Sequence, residues 1–249
     1  MTAVSSEVQA GAAPTRVRRP AGLLIAGVAT LAVFWLFALH VATNPEHPFT
    51  QAMDDAWRRL VGSDHGPETG ILPMFFQYLG EGPGAILLVL VVPIALIIVR
   101  RWRSALFFFT ANIAVSLVVS QLTKNLVHRP RPAEDLENGL FGPLFSVDHG
   151  SLPSGHSVTV GFVIVGVAAL LPAGKRAIWW IVAALLAVGI VWQRTLINAH
   201  WLSDTIVGVA AGAAGTLILW WAFHPLLAKD YGRPLLRRSS PDRTKEGAS

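Results

Sequence analysis

AGLLIAGVATLAVFWLFALHVAT, residues 21–43, carries no charged side chain and follows a basic cluster of Arg16, Arg18 and Arg19. An α-helix needs about 20 apolar residues to cross a bilayer. A basic cluster followed by an apolar run also opens a secretory signal peptide. This run is longer than a usual signal core, and no small-residue cleavage site clearly follows it. The reading is therefore an uncleaved first membrane span.

The rest of the chain agrees with a membrane protein. Of 249 residues, 53% are hydrophobic and 14% charged, and the mean hydropathy is +0.51. Soluble domains carry about a quarter charged residues. There is no cysteine, which excludes disulfides, thiolate metal sites and cysteine nucleophiles. The net charge of +5 reads in such a chain as topology signals and anionic headgroups, not nucleic acid.

Five further apolar segments, 83–99, 104–123, 157–173, 177–193 and 203–223, complete an all-α bundle of six transmembrane helices. Between the first two spans lies FTQAMDDAWRRLVG, in which Met53, Trp57, Leu60 and Val61 share one helical face. That pattern predicts an interfacial helix. GEGPG, 80–84, breaks the chain before the second span. The expected organisation is a disordered, basic cytoplasmic N-terminus (1–20), a membrane domain (21–223) and a basic cytoplasmic tail (224–249).

Charge sets the expected sidedness. With a cytoplasmic N-terminus, only six of the twenty Lys and Arg face outward: Arg58, Arg59, Lys124, Arg129, Arg131 and Arg194. The positive-inside rule favours that orientation, with both termini in the cytoplasm. A basic cluster left on the disfavoured side needs a reason.

Three polar segments meet at that outer level. KNLVHRPRP (124–132) follows the third span, PSGH (153–156) precedes the fourth, and QRTLINAHWLSD (193–204) joins the fifth and sixth. Each cation alone reads as interfacial snorkelling. Together the segments suit phosphoryl transfer. Arginine forks and lysine hold phosphate oxygens, and a turn opening a helix aims backbone N–H groups at an anion. His200 and Asp204, four apart, fall on one face if a helix starts near 200. A histidine so held by a carboxylate can be a nucleophile, and a second histidine can protonate a leaving oxygen. His128, Arg129 and His149 match no required position and are expected at the rim, and His40, His47, His65 and His224 read as structural or solvated. In DTIVGVAAGAAG, small residues at Gly208 and Gly212 are read as a packing face that brings the sixth helix against its neighbours, with a homodimer face as the alternative. Within the loop 133–152, Leu140, Phe141, Leu144 and Phe145 are expected to dip toward the headgroups, and Glu134, Asp135 and Glu137 to discourage other anions.

These segments closely resemble the type 2 phosphatidic acid phosphatase family, relatives of vanadium haloperoxidases and glucose-6-phosphatase. The first family motif matches as Lys124, Arg131 and Pro132, and the second in full as Pro153, Ser154, Gly155 and His156. The third matches as Arg194, His200 and Asp204, with Gln193 in place of the family serine. The resemblance implies a phosphohistidine on His200, oriented by Asp204, with His156 protonating the leaving group and later helping to activate water. It implies phosphate binding by Lys124, Arg131, Arg194, Ser154 and the Gly155 backbone, and no metal or other cofactor. The implied partner is a lipid phosphate or pyrophosphate at the outer face of the cytoplasmic membrane. A lipid phosphotransferase using the same intermediate is the alternative, and a transporter is a reading from another class. A transporter would place charges deep within several spans, and these spans lack them.

Overall fold

A computed structural model describes residues 17–62, 70–145 and 150–231. The expected N-terminal segment up to Arg16, His65, His149 and the tail from residue 232 lie outside the described residues. The described chain is helical: α1 Ala21–Thr43, α2 Gln51–Val61, α3 Ile71–Leu79, α4 Gly82–Ile98, α5 Trp102–Leu126, α6 Gly155–Leu170, α7 Arg176–Leu196 and α8 Leu202–Tyr231.

Four of these are long and apolar enough to cross a membrane: α1, α5, α7 with its leading turn, and α8. The α3–α4 pair, bent by 45° where Gly80 and Glu81 break it, makes a fifth if taken as one span. α6 has only 16 residues, because Pro153 and Pro172 bracket it and neither can lie inside a continuous helix there. The six expected spans are thus all present as helices, and length and composition alone mark four or five of them as membrane-crossing.

α8 is the axis of the bundle. Its small residues let it lie directly on α6: a Cβ on Gly212 would collide with the Val158 carbonyl, and one on Gly161 with the Val209 carbonyl. The two backbones therefore touch, as small residues permit between membrane helices. Gly208 faces Ser154 in the same crossing, so this glycine face is spent inside the chain and is not a free dimer surface. Around the crossing, Phe34, Phe107, Phe108, Val158, Phe162 and Trp220 form the main apolar core. The crossing also sets the site, because it fixes the first turn of α6 against the first turn of α8. The Ser154 amide donates to the Asp204 carbonyl at 3.3 Å.

One expectation changes and another gains detail. α8 does not end at Phe223 but runs through Pro225 to Tyr231. Asp230, fully buried, draws it on by accepting hydrogen bonds from the Ser104 amide (3.0 Å) and hydroxyl (3.1 Å) and from Arg103 Nη1 (3.2 Å). The residues to 231 therefore belong to the bundle rather than to a tail. In α2 the apolar Met53 and Leu60 point outward, whereas the polar side is turned into the protein. Asp54 is buried, Trp57 Nε1 donates to Thr195 Oγ1 at 3.0 Å, and Arg58 Nε donates to Asn198 Oδ1 at 3.0 Å. The helix is held by its hydrogen bonds, an arrangement that amphipathic spacing alone does not specify.

A candidate phosphoryl-transfer site

Every residue of the three sequence segments comes to one end of the bundle. Lys124 sits in the last turn of α5, beyond a wider π-type turn at Ser116–Gln121. Such a turn offsets the register of the next helical turn by one residue and is frequent near functional sites. Lys124 is buried although charged. Ser154 is the N-cap of α6, its hydroxyl accepting from the Ser157 amide at 3.3 Å. A cap of this kind contributes about 1 kcal/mol, and it leaves the Gly155 end of the helix facing the cations. The position a Gly155 Cβ would take is 3.9 Å from Lys124 Nζ. Arg194 ends α7, His200 lies in the short link to α8, and Asp204 is in the first turn of α8.

His200 is held from both sides. Its Nδ1 lies 2.7 Å from the Ser151 carbonyl, which accepts only if Nδ1 carries the proton. Nε2 then presents its lone pair, with Arg131 Nη1 3.3 Å away. Arg131 Nη1 itself donates to the Ala199 carbonyl at 2.5 Å. Burial holds the imidazole well below its ordinary pKa, and the charges of Arg131, Arg194 and Lys124 push the same way. Burial and the surrounding cations thus both favour the neutral imidazole at His200. That arrangement suits a nucleophile meeting a phosphate, because the cations attract the anion while the attacking nitrogen stays unprotonated.

Asp204 is not the direct partner of the His200 ring. The Nδ1–Oδ2 distance is 3.9 Å. Oδ2 instead accepts from the Ser151 hydroxyl and from the Trp201 amide (3.1 Å). The carboxylate thus fixes the Ser151 segment, whose carbonyl sets the tautomer, and the backbone next to His200.

The chain is similar to known proteins. The profile of the PAP2 superfamily matches residues 104–227. A candidate undecaprenyl-diphosphatase of Escherichia coli (strain K12), YbjG, is 31% identical over 143 residues, which are 54% of this chain and 69% of that protein. The chain belongs to the PAP2 superfamily. Lipid A 1-phosphatase of Rhizobium etli is 33% identical over 154 residues, 59% of this chain. The match spans 63% of that relative's length. Among solved structures, the PAP2-type phosphatidylglycerolphosphate phosphatase of Bacillus subtilis superposes with a TM-score of 0.64, at 21% identity, covering 82% of this chain and 96% of that one. That likeness shows a shared fold.

Several polar residues at the site stand outside the PAP2 motifs. Arg129, expected at the rim, is 1% exposed. Its Nη1 binds Asp204 Oδ1 at 2.6 Å and its Nη2 binds Asp54 Oδ2 at 2.8 Å. Gln77 of α3 is equally buried and stands behind the other half of the site. Its Oε1 accepts from Arg194 Nη1 at 2.6 Å and from Gln193 Nε2 at 3.3 Å. Its carbonyl lies 3.1 Å from His156 Nε2, and its amide nitrogen reaches Glu81. Gly80 packs flat on the His156 ring, leaving no room for a Cβ. Gln193, where the family has serine, thus shares the Gln77 oxygen with Arg194. His128 is not among these contacts. In the loop 133–152, Leu140 is buried rather than free, and Phe141 and Phe145 stay exposed. The loop is pinned to α2, where Arg58 Nη2 donates to the Phe141 carbonyl at 3.1 Å and also to the Ala133 carbonyl.

Proposed function

We propose that this protein is an integral membrane phosphatase that hydrolyses a lipid phosphate or pyrophosphate through a phosphohistidine on His200. The observation that carries the reading is the placement of the His200 ring, its Nδ1 on the Ser151 carbonyl and its Nε2 facing Arg131, among Lys124, Arg194 and His156. A phosphate entering this pocket is bound by Lys124, Arg131 and Arg194 and by the α6 N-terminus at Ser154 and Gly155. His200 Nε2 attacks phosphorus. The N–P bond forms as the P–O bond to the lipid breaks, and His156 gives its proton to the leaving oxygen. In the second half His156 takes a proton from water, the water oxygen bonds to phosphorus, the N–P bond breaks and phosphate leaves. The cations strengthen their hold as negative charge gathers on the transferring oxygens.

The apolar exterior and the family relatives support a lipid substrate. Phosphatidic acid, phosphatidylglycerophosphate and polyprenyl diphosphates are the candidate classes. In the membrane, α1, α3–α4, α5, α6, α7 and α8 are the six spans, both termini are cytoplasmic, the site opens at the outer face, and α2 lies at the interface with Met53 and Leu60 toward the headgroups. The charge distribution supports that orientation.

The test is phosphate release from these three lipid classes by detergent-purified protein with EDTA present, comparing wild type with His200→Ala and His156→Ala. Release by wild type alone is the expected result. Full activity in His200→Ala would remove the assignment.

A further inference from the structure

Asp54 and Arg129 take no part in the steps just described, yet both are 1% exposed. A buried ion pair is poor grounds for stability, because desolving two charges offsets most of their attraction. This one is also not a simple pair. The Arg129 fork is divided, Nη1 to Asp204 and Nη2 to Asp54. Ser203 closes the circuit. Its amide donates to Asp54 Oδ1 (2.8 Å), its hydroxyl donates to Asp54 Oδ2 (2.7 Å), and the same hydroxyl accepts from Arg129 Nη1 (2.8 Å). Gln51, on the same side of α2, accepts from Arg129 Nη2 at 3.2 Å.

We propose that Asp54 is a positioning residue for the His200 nucleophile, acting through Arg129 and Ser203; the proposal rests on the phosphatase reading above. Two physical consequences support it. The first is geometric. Asp54 ties α2 to the Ser203 backbone and to the guanidinium that holds Asp204 Oδ1, so Asp204 cannot turn, and its Oδ2 stays on Ser151 and the Trp201 amide. Those two contacts set the His200 ring. The second is charge. Arg129 with Asp204 alone would be neutral. The Asp54 carboxylate adds a second acidic group to that buried pair, behind an imidazole that becomes positive as its N–P bond forms. A fixed negative charge there favours the transition state over the resting state. Asp54 lies fifty residues upstream of the segment matched by the family profile, so α2 becomes part of the catalytic apparatus.

The experiment uses the full-length protein in detergent and phosphate release from phosphatidic acid and from farnesyl diphosphate. Wild type, Asp54→Asn, Ser203→Ala and His200→Ala are compared. Inhibition constants are measured for orthovanadate, which imitates the transferring phosphoryl group, and for inorganic phosphate, which imitates the ground state. For Asp54→Asn we expect kcat to fall about 10- to 100-fold, the scale of a misplaced reacting group, with KM within about twofold. The vanadate constant rises by the same factor as kcat/KM falls, and the phosphate constant does not move. Ser203→Ala keeps every charge and shows the same pattern at about 3- to 10-fold. Should Asp54→Asn fail to fold, Ser203→Ala decides. Wild-type kcat in both variants overturns the proposal. So does a lower kcat with both inhibition constants unmoved, which marks a reduced folded fraction. A wild type that releases no phosphate from either lipid and behaves as His200→Ala does overturns the phosphatase reading, and this proposal with it.

Discussion

The two halves of the site are supported in different ways. Behind His200 the support is ionic: Asp204, Arg129 and Asp54 form a buried chain of alternating charge that reaches from α8 to α2. Behind His156 it is chiefly a neutral amide. Gln77 touches the ring with its carbonyl and Arg194 with its side chain, and Gly80 lies against the ring face. The difference follows the chemistry assigned to each. A nucleophile that gains positive charge benefits from fixed negative charge at its back. The acid is oriented instead by a dipole, the Gln77 carbonyl at its Nε2, with no carboxylate paired to its ring. The nucleophile half should therefore respond to changes of charge, and the acid half to changes of leaving group and shape.

The sharpest break of this contrast is Asp204→Asn, which keeps the shape of the carboxylate and removes its charge. A triad carboxylate bonded directly to its histidine is worth about 10⁴-fold in kcat, and Asp204, which acts through Ser151 and the Trp201 amide, should be worth about 10²- to 10⁴-fold. A loss of that order is expected here, equal for a lipid phosphate and for p-nitrophenyl phosphate, measured as kcat on both. His156→Ala comes next. Removing a general acid costs about 10²- to 10⁴-fold in kcat/KM, which reports the phosphorylation step, on a lipid phosphate and far less in kcat/KM on p-nitrophenyl phosphate, whose leaving group needs no proton. Equal losses on both substrates would contradict the role given to His156.

Gly80→Ala tests shape alone. The added methyl must displace the His156 ring or the α3–α4 bend, and a loss of about 10- to 100-fold is expected from such a misplacement, again largest with the poor leaving group. Gln193→Ser restores the family residue. It gives up the 3.3 Å contact with Gln77 while the 2.6 Å contact of Arg194 with the same oxygen remains. A change in kcat/KM of no more than about threefold is expected, well under the ~1 kcal/mol of a typical hydrogen bond plus its packing.

The same contrast shows how far the sequence could be read. That Lys124, Arg131, Ser154, His156, Arg194, His200 and Asp204 come together was legible because each belongs to a short motif at a helix end, where spacing fixes relative position. The helices themselves were legible from their apolar length. Arg129, Asp54, Gln77, Ser151 and Ser203 were not, because only tertiary packing gives them their partners. Arg129 has no motif position, and its carboxylates lie 75 residues away in either direction along the chain. Asp54 was visible as one of several charges on an amphipathic helix, and periodicity does not say whether the polar face meets water or protein. The basic cluster expected on the disfavoured side was the one available signal. Four of the six cations expected on the outer side, Lys124, Arg129, Arg131 and Arg194, come together at the candidate site. Arg58 and Arg59 belong to α2, where Arg58 ties the helix to Asn198 and the loop. The end of α8 was missed for a related reason, since Pro225 and the charged residues after it look like a terminus until Asp230 finds Ser104.

The contrast between the two halves depends on phosphoryl transfer through His200. The direct measurement is to mix detergent-purified protein with phosphorus-labelled p-nitrophenyl phosphate, quench in alkali, which preserves a phosphohistidine, and map the label by mass spectrometry. Label is expected on His200 in wild type, none in His200→Ala, and more in His156→Ala, where the intermediate forms readily from a good leaving group but water is poorly activated. Label on another residue, or turnover of the same substrate with no covalent label in either wild type or His156→Ala, would contradict a His200 intermediate.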